Sequence, residues 1–569
     1  MRNQQHVWVA PALVVLLAAA GTACAAAPPP GNAPAPTRLP QDIVTAWKAA
    51  GAEVGWLRAE EWRIHYLFFE AHGYHRFVPK KEYKQGDLPA FRFRVWQPGT
   101  LAKLPDPTSK FGLFLGSSKI TDDGLKELTQ LVSLQLLDLS YNASLTDERL
   151  KELAGLKSLH TLNLRKTGVT GVGLKALSKL QSLHVLDLGE TPMADEGLEG
   201  LKALAKLKLQ SLNLARTKVT NKALIVLAKF QHLQSLDLRM TQVTGGGLKA
   251  LSELQSLHTL DLGEIPMTDE GLKVLAGLRN LQSLNLFSLG ELAGPTKKKL
   301  ATMTAEGLKV LAKLKRLQKL NLSGTPVTDK VLAALAGLKS MQTLVLADTQ
   351  VTDNGLESLT GLDNLQDLNL AKTQVTDKGL GVLVRLPDLQ FLNLAETKVT
   401  DKGLAALAKL KSLRWLNLDE TGVTDDGLMH LKGLDKLKSI RLWKTKVTEK
   451  GIAELKKALP GLKVDRSDRL SPLRQELNKL LQPVKAQRAD TDIPGWVRWL
   501  IVPAVLALAG VLAGLLRGAS SFPRPSSPAG VPPGVGDRPR TAPPPRQEQL
   551  GLGADGRRGV WLRQVFPWE

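Results

Sequence analysis

The sequence predicts an α/β solenoid. It is a curved stack of parallel β-strands on the concave side and α-helices on the convex side, with an N-terminal cap and a single C-terminal transmembrane helix. Three observations carry this. A unit of about 24 residues recurs from residue 111 to about 464, a period that belongs to stacked repeats rather than to separate domains. An aromatic-rich stretch precedes the array. Eighteen apolar residues, Trp499 to Leu516, follow it without a charge.

The unit is clearest in Leu392-Asn393-Leu394-Ala395-Glu396-Thr397-Lys398-Val399-Thr400-Asp401-Lys402-Gly403-Leu404. Leu392 and Leu394 alternate as on a strand and share its inward face. Thr397 is placed to turn the chain, its hydroxyl satisfying a buried backbone group. Val399 fills the core. Thr400 is a suitable helix N-cap, and Asp401 suits the positive helix end. Leu404, Leu407 and Leu410 follow at helical spacing. The strand leucines fall at 113, 137, 162, 186, 212, 236, 260, 284, 320, 344, 368, 392 and 416, with Ile440 last, which makes fourteen units. Most spacings are 24; one is 25, one 26 and one 36. The long one contains Gly290–Lys299 and is expected to loop out. Strands pack about 4.8 Å apart and helices about 8–10 Å, so such an array is expected to curve with its strands inside.

The pattern L-x-x-L-x-L-x-x-T-x-V-T-D-x-G-L-x-x-L resembles the leucine-rich-repeat superfamily, in its bacterial 24-residue form with Thr where Asn or Cys is usual. The resemblance covers roughly 350 residues. It implies a binding scaffold and is nearly silent on the ligand.

The flanks read as follows. Residues 1–27 have the order of a signal peptide: Arg2, the apolar run Val7 to Ala20, then small residues. Cys24 after small residues is a candidate lipidation site, although Gly21 stands where an aliphatic residue is usual. Residues 28–40 form a Pro/Ala linker. Residues 41–110 are expected to cap the array, with helices over 42–50 and 57–70 and a strand over Phe91–Trp96. Leu470, Leu473, Leu477, Leu480 and Leu481 predict an amphipathic helix within a C-terminal cap or juxtamembrane segment, 465–495. Residues 496–517 predict the transmembrane helix; eighteen residues span about 27 Å. The tail, 518–569, is Pro/Gly/Ser-rich and expected to be disordered.

The formal net charge is +22, which favours anionic partners in general. The expected concave column is polar and partly acidic: Asn163, Asp187, Asn213, Asp237, Asp261, Asn285, Asn321, Val345, Asn369, Asn393, Asn417, Arg441. It does not read as a nucleic-acid stripe. One cysteine excludes an intrachain disulfide.

No catalytic motif is present, and no enzyme activity, cofactor or metal is expected. His65, Glu70, His72 and His75 fit no standard zinc spacing. His160, His184 and His258 share one repeat column, the first two as expected neighbours. Gly171-Val172-Gly173 and Gly245-Gly246-Gly247 lack the Lys-Ser/Thr of a phosphate loop.

Large residues late in the array mark the candidate partner-binding surface: Phe391, Trp415 and Trp443, beside Asp419, Arg441 and Lys444. The resulting expectation is a single-pass membrane protein, anchored in the bacterial cell envelope. Its repeats are extracytoplasmic, its tail is cytoplasmic, and it binds a protein through the concave face. Two other readings compete. Arg38–Val44 faintly resembles the start of an F-box, which implies a cytoplasmic adaptor. An enzyme site within 41–110 has no motif behind it.

Overall fold

The computed structural model describes residues 39–59, 75–79, 87–288 and 303–467. The first element, α1 (Gln41–Ala49), is a helix whose inner face buries Ile43, Val44 and Trp47. Three strands follow: β1 (Glu53–Ala59), β2 (His75–Pro79) and β3 (Leu88–Arg92). β1 is flanked antiparallel by β2 and β3, with Leu57 opposite Phe77 on one side and Leu88 on the other.

This corrects the helix expected over 57–70. Residues 57–59 belong to β1, because β2 pairs along all three and β3 pairs with Leu57, and Leu57 packs with Phe77, Ala90, Phe114 and Leu136 in a small separate apolar cluster. The rest of that expected helix lies outside the described residues. The strand expected over Phe91–Trp96 also moves. It ends at Arg92, and Phe93 and Trp96 turn into the main core while their N–H groups donate to Phe114 O and Ser118 O. Among the described residues of the cap, helix α1 is followed by the strands β1, β2 and β3.

The cap joins the repeats as if it were one. β3 pairs parallel with the first repeat strand, β4 (Phe111–Phe114), placing Phe91 beside Leu113. Trp47 closes this end. It stacks on Phe91 at 4.1 Å, meets Phe111 edge-on at 5.8 Å, and donates from Nε1 to Pro105 O at 3.0 Å. Aromatic pairs of this kind add to the apolar area they bury.

From β4 onward every strand is parallel to the next, completing an 18-stranded sheet among the described residues. The fourteen predicted leucine or isoleucine positions all lie on strands in one row, as in Leu368, Leu392, Leu416 and Ile440. A further rung, Lys463–Asp465, sets Val464 beside Ile440, one strand beyond the fourteen expected. The 36-residue spacing leaves the register intact, since Leu284 pairs directly with Leu320.

The connecting segments opposite the strands are short. Units with T-D-x-G-L, such as Asp401–Leu407, form α-helix. Val172–Lys179 and Gly245–Glu253 form 3-10 turns instead. Gly171 has φ 100, outside the helical region, and glycine-rich starts are poor helix formers.

The expected helix 465–495 begins beyond its first three residues outside the described part of the chain, as do 1–38 and the whole of 496–517. Among the described residues no helix is long and apolar enough to cross a membrane.

Candidate functional site

Most repeats turn off their strands in the same way. The Asn or Asp after the strand leucine accepts the N–H two residues on: Asn393 Oδ1 from Ala395 at 3.1 Å, Asn417 Oδ1 from Asp419 at 2.9 Å, Asp187 Oδ1 from Gly189 at 2.8 Å. The threonine four residues later donates to the carbonyl before it, Thr397 to Leu394 O at 2.6 Å, as its position in the unit predicts. Between them one residue per unit sits at positive φ, such as Lys372, Glu396, Glu420 and Lys444. The Asn/Asp column is therefore mostly buried and committed to the strand ends. This corrects its reading as an open binding ladder: an unpaired backbone N–H at a buried turn is costly, and these side chains satisfy it.

The T-D-x-G motif acts between repeats. Asp377 accepts from both Thr400 N and Thr400 Oγ1 of the next unit, at 2.7 and 2.6 Å. The same bridge joins Asp353 to Thr376, Asp401 to Thr424 and Asp425 to Thr448. Asp269 reaches Thr304 across the long spacing, at 2.8 Å to both N and Oγ1. The glycine makes room for this aspartate: a Cβ on Gly403 would sit 2.5 Å from Asp377 Oδ1.

The candidate patch stands on this scaffold. Phe391 and Trp415 lie side by side in register on adjacent strands. Phe391 is half-buried and Trp415 only 8% exposed. Arg441 breaks the Asn column, and its side chain is 3% exposed. Its Nε donates to Asp419 Oδ2 at 2.7 Å, Nη1 pairs with Asp465, and Nη2 reaches Ser467 O at 3.3 Å. Burial pushes the Asp419 carboxyl up, against the opposing pull of Arg441. The other oxygen of Asp419 accepts from Trp443 N at 2.8 Å.

So two of the six predicted contact residues, Asp419 and Arg441, are buried supports rather than contact groups. Trp415 is nearly covered. Phe391, Trp443 and Lys444 keep accessible surface. Lys444 Nζ lies 4.2 Å from the Trp443 ring centroid and 3.2 Å from Glu420 Oε2. One rung on, Glu396 pairs with Lys372 at 3.7 Å. This charged rim of Lys372, Glu396, Glu420 and Lys444 escaped the sequence reading. Its signal is the residue before the turn threonine, read down the column.

Elsewhere on the face, His160 and His184 are neighbours as expected, and their rings stack 5.3 Å apart. Of the four-residue cluster considered for metal, residues 65, 70 and 72 lie outside the described part, and His75 is on β2. Among the described residues no group of three or more potential ligands could hold a metal ion. Cys24 lies outside the described residues.

A one-sided parallel sheet with a buried polar ladder and a decorated face defines the class: a solenoid built of repeats. More specifically, the leucine-rich-repeat family model matches residues 155–178, 179–202, 231–252, 337–359, 363–384 and 385–408, and the chain is a leucine-rich-repeat protein. Among solved structures, it is similar to an internalin from Listeria monocytogenes, at 21% identity over 62% of this chain and 90% of that one, TM-score 0.38. It is also similar to a leucine-rich-repeat protein of Leptospira interrogans, at 20% identity over 66% and 93%, TM-score 0.42. No curated protein sequence matches it.

Proposed function

We propose that this chain is a membrane-anchored protein-binding scaffold, docking its partner on the C-terminal part of the concave face. One observation carries the docking site. Phe391 and Trp443 put large aromatic surface where most other repeats have smaller residues, with Lys444 held over the Trp443 ring. Rigid aromatic anchors ringed by charge are the usual composition of a binding hot spot. The pair beneath, Arg441 and Asp419, sets the strand end from which Trp443 projects. Anchoring rests on the sequence of 496–517 and the leader 1–27, and an extracytoplasmic array follows from the leader.

Partner capture from envelope extracts tests the site, comparing the full chain with F391A/W443A and with a convex-face control, Ile225→Ala. The double variant is expected to lose about tenfold or more in affinity, equivalent to about 1.4 kcal/mol; equal capture by all three overturns the assignment. Protease added to intact cells tests the anchoring. Degradation of the repeats with survival of a membrane-bound stub is expected, and full protection of the repeats sinks it.

A further inference from the structure

The opposite end of the concave face carries a second, independent feature. A groove of about 380 Å³ opens there, with an apolar floor of Leu57, Leu88, Leu136 and Val185 and a wall formed by His160 and His184. The two imidazoles are stacked, 5.3 Å apart and 19° from parallel. Each is held by the same contact. His160 Nδ1 lies 2.7 Å from Ser158 O, and His184 Nδ1 meets Ser182 O. A carbonyl oxygen only accepts, so Nδ1 carries the hydrogen in both rings. In the neutral imidazole this leaves Nε2 as a lone-pair acceptor.

Among the described residues neither Nε2 meets a donor. Gln135, which also lines the groove, spends its amide N–H on Ser158 O at 3.2 Å, so its carbonyl adds a third acceptor. The strands supplying Leu136 and Val185 run on, two residues later, into Asp138 and Asp187. The nearby cations Arg58 and Arg165 are paired with Asp87 and Glu190. The groove thus offers aliphatic surface beneath the imidazole acceptors, beside Thr161 and Gln210, whose hydroxyl and amide groups can both donate and accept, and a matched charge environment that does not repel a cation. We propose that it receives a lysine side chain of a partner polypeptide, its methylene stem on the leucine floor and its ammonium donating to the two imidazole Nε2 atoms. A lysine stem and head divide in this way between apolar surface and polar partners.

Diethyl pyrocarbonate, which acylates an unprotonated imidazole nitrogen, tests this on the full chain, with His160 and His184 followed by mass spectrometry. A blocked pentapeptide, Ala-Ala-Lys-Ala-Ala, at millimolar concentration is expected to slow acylation of both by about threefold or more, while its norleucine counterpart does not. Anisotropy of the fluorescein-labelled lysine peptide should rise with the wild-type chain and not with H160A/H184A, which removes both ring acceptors. H160Q/H184Q, which keeps amide acceptors in a column that glutamine already fills at Gln210 and Gln234, should retain part of the rise. Equal protection by norleucine overturns the proposal in favour of a purely apolar groove. Protection by zinc ion alone overturns it in favour of a metal, and no protection by any probe overturns it outright.

Discussion

Asp419 holds Arg441 with one carboxylate oxygen, at 2.7 Å from Nε, and the Trp443 N–H with the other, at 2.8 Å. In the preceding repeats, except the one with Val345 in this column, a unit's own Asn or Asp serves that N–H. Arg441 offers only donors, so the acceptor comes from the neighbouring repeat. The pair is a compensated exception to the ladder, and its two members are interdependent.

Removing the cation alone, as in Arg441→Met, leaves Asp419 buried without its partner and is expected to cost roughly 3–5 kcal/mol. Restoring the common pattern with D419A/R441N should recover most of that, since Asn at 441 can serve Trp443 N–H itself. Urea unfolding of the single and double variants checks this. A double variant at least as unstable as Arg441→Met refutes the interdependence.

Gly403→Ala is expected to destabilise by about 1–3 kcal/mol, because its Cβ would meet Asp377 Oδ1 at 2.5 Å. Removing the aspartate relieves the clash, so D377A/G403A should cost less than the sum of the single changes. A double-mutant cycle measures the coupling; strict additivity would show that the glycine is needed for some other reason.

Burial, then the neighbouring carboxyl of Asp261, pushes Asp237 up to about 8, with Arg239 pulling the other way and Asp187 adding a smaller push. An unfolded aspartate ionises near 3.9, roughly. Between these values the folded chain keeps a proton that the unfolded chain has released. Stability from this group is therefore full below the unfolded value and falls as pH rises through the window. Asp237→Asn, matching Asn213 and Asn285 in the same column, should flatten the decline and gain most at and above pH 8. Melting temperatures across the range decide it; an unchanged slope contradicts the assignment.

Met240 is 36% exposed and held at φ 55. A left-handed conformation costs an ordinary residue about 1–2 kcal/mol, against about 0.5–1 kcal/mol for the freedom glycine brings to the unfolded chain. Met240→Gly is expected to stabilise by roughly 0.5–1 kcal/mol, by difference. A lowered melting temperature would indicate that the Met240 side chain packs more usefully than its exposure suggests.

The repeat sequence by itself determined the fold. Leu392 and Leu394, Thr397, Val399 and Leu404 specify a strand, a turn and a helix within one unit, and the 24-residue period specifies how units stack. Those are local patterns, readable wherever burial follows periodicity. Only the tertiary structure decided what depends on neighbours. It set the Asp377–Thr400 bridge and the glycine that admits it, because both partners lie in different repeats. It turned 57–59 into a strand, because β2, distant in sequence, pairs along its backbone. And it divided the predicted patch, burying Asp419 and Arg441 while leaving Phe391, Trp443 and Lys444 accessible. Side chains that look alike on a sequence column face different surroundings once the adjacent rung is in place, and that surrounding, rather than residue type, separates support from contact.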